Sequence, residues 1–136
     1  MRIRLNDIDA AGVVFGPRLI ALAHEAAEDA LRVAGLDFAM VLKEGAYALP
    51  LVRIESDFAA PVRHGDELVP TVVVARTGGK SFTLEIRLDL ANGTRAATVT
   101  QTQVVIGLPE RRPMALPAEV VAALGRLTPP GPPPAG

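Results

Sequence analysis

The hydrophobic period of this chain changes once, and that change limits the fold more than any other feature. Between Leu19 and Ala34, apolar residues recur at Leu19, Ile20, Ala23, Ala26, Ala27, Ala30, Leu31 and Ala34, the roughly 3.6-residue spacing of a helix with one buried stripe. Arg18, Glu25, Glu28, Asp29 and Arg32 take the other face. From Ala48 onward the period is two. Phe82, Leu84, Ile86, Leu88 and Leu90 alternate with Thr83, Glu85, Arg87 and Asp89, and Val52, Ile54 and Phe58 alternate with Arg53, Glu55 and Asp57. A helix with one apolar stripe and a sheet with one apolar face bury each other. The stripe is mostly alanine, so the helix can lie close to whatever covers it.

Turn and cap residues divide the rest. Met1–Leu5 alternates like a short strand. Gly16-Pro17 opens the helix predicted over 17–34, because proline suits a first helical turn, and Gly35 closes it. Asp37–Gly45 reads as a short helical turn with Phe38, Val41 and Leu42 inward. Pro61–Asp66 is a turn. Leu68–Arg76 is a strand whose Pro70 marks an edge or a bulge. Thr77–Lys80 is a hairpin, Asn92-Gly93 carries a type I′ signal, and Thr94–Leu108 is the last strand. Pro117–Leu127 is a weak helix. The prediction is an α+β domain over 1–127, with a five-stranded antiparallel sheet wrapped round one long central helix and its last four strands in a meander. Residues 128–136, five of them proline, form a tail without catalytic work. One helix cannot cover five long strands. Apolar surface and a free edge strand should remain, and a second copy of the chain would cover both.

Composition narrows the function. Fourteen basic and fifteen acidic side chains give a net charge of −1 with no basic run, which argues against a nucleic-acid surface. The absence of cysteine removes disulfides, thiolate zinc sites and cysteine nucleophiles. No apolar run has the length of a membrane span and no leader pattern precedes the first strand, so the expected location is the cytoplasm.

The chemistry concentrates in Asn6–Pro17. Asp7-Ile8-Asp9-Ala10-Ala11-Gly12 starts like a calcium loop. Ala11 and Arg18 then stand where such a loop needs an oxygen ligand and a bidentate glutamate. His24 and Glu25 are neighbours on a helix and point apart, so they do not make a metal pair. A carboxylate acting on an acyl group fits better. Gly16 stands at a helix start, where N–H groups lack intrahelical partners and the helix dipole is positive. Such donors stabilise an oxyanion. Asp9, seven residues earlier, is open to two readings: a residue capping its own loop, or a carboxylate facing those donors. His24 reads as a packing or surface histidine unless it meets a ligand, and His64 as a solvated turn residue. Glu25 and Glu28 read as a wet helix face, although Glu25 could reach a site shared with a second subunit.

With its Asp7-Ile8-Asp9-Ala10-Ala11-Gly12-Val13-Val14 loop running into a helix, the chain resembles the hotdog-fold thioesterases, in the 4-hydroxybenzoyl-CoA thioesterase-like branch. The likeness extends through His24-Glu25-Ala26, the Ala60–Glu67 turn and Gly79-Lys80-Ser81-Phe82, covering about residues 1–117. It implies a homodimeric or homotetrameric acyl-CoA thioesterase, with sites between subunits and no cofactor, coenzyme A being part of the substrate. By position, Asp9 matches the catalytic carboxylate, as nucleophile or as base for water. Gly16 matches the residue whose N–H holds the thioester oxygen. Lys80 and Ser81 match the coenzyme A phosphate contacts, with Arg76 and Arg63 as weaker candidates. Val13, Val14 and Phe15 would line the acyl pocket with residues of a partner, joined by His24 and Glu25. Many relatives carry Tyr or His where Gly16 stands, so any role of that side chain is missing here. The Ala10-Ala11 loop with His24-Glu25-Ala26 is most similar to enzymes acting on 1,4-dihydroxy-2-naphthoyl-CoA. Two rivals stand beside this reading. A hotdog hydratase or dehydratase needs an Asp–His pair within hydrogen-bond reach. A non-catalytic acyl-thioester binding module would bind the ester without releasing thiol.

Overall fold

A computed structural model describes residues 1–127 of the chain. The long helix α1 spans Gly16–Val33 and a short helix α2 spans Phe38–Glu44. The strands follow as β1 (Tyr47–Ala48), β2 (Leu51–Phe58), β3 (Leu68–Thr77), β4 (Ser81–Leu90), β5 (Arg95–Val104), β6 (Ile106–Gly107) and β7 (Arg112–Pro113), and helix α3 closes the series at Ala118–Leu127. The expected tail lies outside the described residues.

The expected architecture, an antiparallel sheet round one long helix, is present. Leu19, Leu22, Ala23, Ala26, Ala27 and Leu31 of α1 are buried, facing the inward side chains Phe82, Leu84, Ile86 and Leu88 of β4, each at most 1% exposed. Leu22 joins the stripe although the periodicity reading passed over it, while Ile20 and Ala30 sit at its margin. Each fully buried Leu or Ile contributes about 1.5–3 kcal/mol of transfer free energy, so the α1–β4 contact is the centre of the core.

The strands divide differently from the expectation. The main sheet has four strands in the order β2-β5-β4-β3, and a small second sheet has the order β1-β6-β7. Met1–Leu5 is no strand: Arg2 makes one antiparallel bridge to Glu67, and Leu5–Asp7 turns into a 3-10 helix. The last strand breaks at Val105, whose buried side chain separates β5 from β6. Strands β3, β4 and β5 do form a meander, but β2 pairs with β5 at the opposite edge from β3. Tight turns join neighbours, whereas the β2–β3 connection is nine residues long and can cross the sheet. That crossing is stitched to the N-terminal segment. Ala59 N–H donates to Ala96 O, Val14 N–H to Val62 O and Ile3 N–H to Asp66 O, each at 2.8 Å.

Three local expectations also change. At Asn92-Gly93 only Gly93 has a positive φ, of 91°. A type I′ turn needs two such residues, so Leu90–Gly93 is a type I turn followed by a left-handed glycine. The register slips beside it, between Leu88 and Asp89. Leu42 of α2 is 78% exposed, while Val41 is buried and Phe38 half-buried. Strand β2, expected to have one wet face, is open on both: Val52, Ile54 and Phe58 are 56%, 40% and 51% exposed. Pro70 does lie on an edge strand, β3, but the bulge there falls later, between Val74 and Arg76. Helix α3 docks on the end of α1, with Arg126 Nη1 donating to Ala34 O at 2.6 Å, and on β1, where Tyr47 hydroxyl donates to Glu119.

Candidate active site

The loop before α1 folds on itself. Asp9 N–H donates to Val13 O at 2.9 Å, Gly12 N–H donates to Asp9 O at 3.0 Å, and Ile8 bridges Val14. Asp9 Oδ1 accepts the Ala11 N–H at 2.8 Å. Asp9 therefore caps its own turn with one carboxylate oxygen, and its side chain is exposed. Asp7 is the opposite case. It is 4% exposed, its carboxylate accepting from Arg4 N–H and from Arg18 Nε, both at 2.8 Å. The Arg4 N–H, with Arg18 behind it, holds the Asp7 carboxyl below its ordinary range against the upward push of burial. Arg18 continues to Glu25 at 3.6 Å. Asp7 thus clamps the Asp9 loop to the first turns of α1. The sequence reading used Asp7 only as part of a motif; an arginine eleven positions on was not a recognisable partner.

At the helix start the number of available donors is small. Pro17 has no N–H, and the N–H groups of Arg18 and Leu19 already reach Phe15 O at 3.0 and 3.3 Å. Phe15 supplies no side-chain cap. Among the described residues nothing accepts from Gly16 N–H, which is left as the orphan donor of this helix end. A Cβ there would lie 3.0 Å from Phe58 Cζ, so any side chain at this position must move the tip of that ring. Gly16 and Phe58 line a cleft of about 390 Å³ with Val14, Leu19, Ala59, Ala60 and Pro61. Asp9 is not in that lining. Val14 is mostly core, Val13 pairs with Arg63, and Phe15 is 46% exposed outside the cleft.

His24, two turns along α1, lines a second cleft of about 260 Å³ with Glu28, Phe38, Val41, Leu42, Leu49, Leu51 and Gln103. Its Nδ1 lies 3.1 Å from Gln101 Oε1. Glu25 is exposed, outside this cleft and beside Arg18, so the structure separates the two neighbours. Gln101 and Gln103, 1% and 3% exposed, were missed by the sequence reading. A signal existed: both continue the inward phase of Val99, where a buried strand position is normally apolar.

Of the coenzyme A candidates, Arg76 and Ser81 come together over the β3–β4 turn. The point where a Gly78 Cβ would sit is 3.1 Å from Ser81 Oγ and 3.9 Å from Arg76 Nη2. Lys80, in the same turn, is exposed. Arg63 lies apart, in the β2–β3 crossing, where its N–H donates to Asp66 at 2.8 Å. His64 is exposed beside it. Within the single chain neither histidine is hydrogen-bonded to Asp9, whose Oδ1 takes the Ala11 N–H, so the pairing that would favour a hydratase is not seen there. Among the described residues no three acidic or histidine side chains converge on a metal site, and no helix is long and apolar enough to cross a membrane.

A family model described as thioesterase-like superfamily matches residues 3–124 of this chain. The chain belongs to that superfamily. It is a thioester hydrolase of the hotdog architecture, as the loop motif implied. A curated relative, the 1,4-dihydroxy-2-naphthoyl-CoA hydrolase of Synechocystis, is 32% identical over 117 residues, 85% of each chain. The crystal structure of a 1,4-dihydroxy-2-naphthoyl-CoA thioesterase from Synechocystis matches with a TM-score of 0.87 at 30% identity, covering 92% of both chains. A gentisyl-coenzyme A thioesterase structure matches with a TM-score of 0.80 at 25% identity, covering 91% of this chain and 96% of that one.

Proposed function

We propose that this thioesterase hydrolyses an aromatic acyl-CoA, such as 1,4-dihydroxy-2-naphthoyl-CoA or 4-hydroxybenzoyl-CoA, to the free acid and coenzyme A. The observation behind the chemistry is the Gly16 N–H, unpaired among the described residues at an uncapped helix start; the loop just before it in the chain holds an exposed carboxylate that would complete the site. The thioester oxygen would take that N–H, and negative charge developing there is stabilised by a donor already in place. Asp9 would attack the carbonyl carbon, or take the proton of a water that does; in both routes the sulfur leaves as thiolate and water supplies the acid's new oxygen. Arg76 and Ser81 beside Gly78, with the exposed Lys80 in the same turn, would offer polar and cationic contacts to a phosphate. The reaction calls for no cofactor. The names of the relatives support an aromatic acyl group.

The reading includes a second copy of the chain. Strand β2 is an unpaired edge whose Leu51, Val52, Ile54 and Phe58 are open, and it borders both clefts. Pairing of two β2 edges would bury that surface and close both clefts with partner residues, giving a homodimer or a tetramer of dimers.

The test is thiol release across a panel of aromatic, short-chain and long-chain acyl-CoA esters, with the assembly state measured by light scattering. Aromatic esters should turn over fastest, on an assembly larger than a monomer. Tight binding of esters without thiol release would instead favour a binding module.

A further inference from the structure

The inward face of β5 changes character half-way along: Ala97 and Val99 are apolar, Gln101 and Gln103 are not, and all four are buried. Two buried amides are costly unless their donors and acceptors are used. Here they form a chain across three elements. Gln101 Oε1 meets His24 Nδ1 at 3.1 Å, Gln101 Nε2 donates to Gln103 Oε1 at 3.0 Å, and Gln103 Nε2 donates to Leu49 O at 2.9 Å. The carbonyl at the far end fixes the sense of every link. It can only accept, so Gln103 must offer it an NH₂ group. The Gln103 oxygen then needs a donor, so Gln101 turns its NH₂ to Gln103 and its oxygen to His24. That oxygen can only accept, so His24 Nδ1 carries a proton. In the tautomer with that proton, the lone pair lies at Nε2.

Nε2 is on the ring edge away from Nδ1, and His24 borders the cleft whose other walls are largely apolar: Phe38, Val41, Leu49 and Leu51. Glu28 adds a second acceptor at the rim. Gly16, Ile20, His24 and Glu28 follow at four-residue spacing, so one row of α1 leads from the free N–H to this cleft over about 12 Å at His24.

We infer that Gln101 and Gln103 are positioning residues that hold His24 as its Nδ1–H tautomer, so that Nε2 selects acyl rings carrying a hydroxyl. The inference rests on the aromatic acyl-CoA reading above and adds the chemical group by which the ring is recognised. A ring without a hydroxyl leaves the Nε2 lone pair facing apolar atoms, and a site built for a hydrogen bond discriminates against such an analogue.

Two measurements on the full chain test it. In the first, nitrogen-15 shifts of the histidines at neutral pH should show His24 protonated at Nδ1 and bare at Nε2, and Gln101→Leu or Gln103→Met should release it towards a mixture of tautomers. In the second, kcat/KM is compared within two pairs: 4-hydroxybenzoyl-CoA with benzoyl-CoA, and 1,4-dihydroxy-2-naphthoyl-CoA with 2-naphthoyl-CoA. Wild type should favour the hydroxylated ester about tenfold in at least one pair. His24→Ala should bring that ratio near unity, and the glutamine variants should lower it by roughly threefold. Loss of folded protein lowers both esters together and leaves the ratio alone. An Nε2–H tautomer in wild type, or no preference in either pair, overturns the inference while leaving thioester hydrolysis standing. If no aromatic ester is hydrolysed, the activity reading fails, and the tautomer with the Kd ratio within each pair still decides this one.

Discussion

The Gly16 and His24 ends of α1, each beside its own cleft, are built in opposite ways. At the Gly16 end the polar groups are main chain and loop: an N–H unpaired among the described residues, and Asp7 tying to the helix, over eleven residues, the loop that holds the exposed, self-capping Asp9. At the His24 end they are buried side chains drawn from α1, β5 and the backbone before β2, with His24 and Gln101 separated by 77 positions. The first arrangement suits a step common to all thioesters, because every one of them presents the same carbonyl. The second suits discrimination, because its donor and acceptor pattern is fixed before any ligand arrives.

The comparison can be broken by variants that act at the wrong end. Asp9→Asn and Asp9→Ala should lower kcat by about a hundredfold or more on hydroxylated and plain aromatic esters alike, with thermal unfolding unchanged; near-wild-type turnover in both would remove Asp9 from the chemistry. Asp7→Asn should cost about 2 kcal/mol of stability at neutral pH, measured by urea unfolding, since it weakens hydrogen bonds to a buried charged group. Its pH dependence has a definite sign. The folded Asp7 carboxyl lies below its ordinary 3.8, so its stabilisation is present above that value and is lost as pH falls through the lower folded one. The gap between wild type and Asp7→Asn should therefore close in acid. Gly16→Ala should lower kcat/KM roughly tenfold by pushing the Phe58 ring across the cleft, on an N–H that is still present. Phe58→Leu in that background should restore part of the loss. The smallest effect belongs to Lys80→Ala, an exposed cation whose loss should raise KM by about threefold and fade in high salt. None of these variants should move the ratio of hydroxylated to plain ester, which is assigned to the other end.

Much of the Gly16 end was legible from sequence. Proline and glycine at a helix start, an aspartate in the loop before it and a period of 3.6 afterwards are local signals, each expressed within a dozen residues. Their outcome is visible in α1 and in the exposed, self-capping Asp9. The His24 end was legible only as a fragment. His24 looked like a packing histidine, and on one sequence the two glutamines read as ordinary strand residues. Their inward phase becomes visible once β5 is known to lie between β4 and β2. The strand β2 shows the same limit. Its alternation was read correctly as a strand, yet its partner was not, because the connection to β3 was long enough to cross the sheet.

Local sequence was enough to place the long helix, the four main strands, the hairpin positions and the loop that carries Asp9. It could do so because backbone preferences and hydrophobic period act over a few residues at a time. Only the folded sheet settles which strand became the open edge, which aromatic ring crowds position 16, and which side chains meet His24. Those outcomes depend on groups far apart in the chain, and a buried donor or acceptor accepts whatever partner the packing of the whole sheet brings to it.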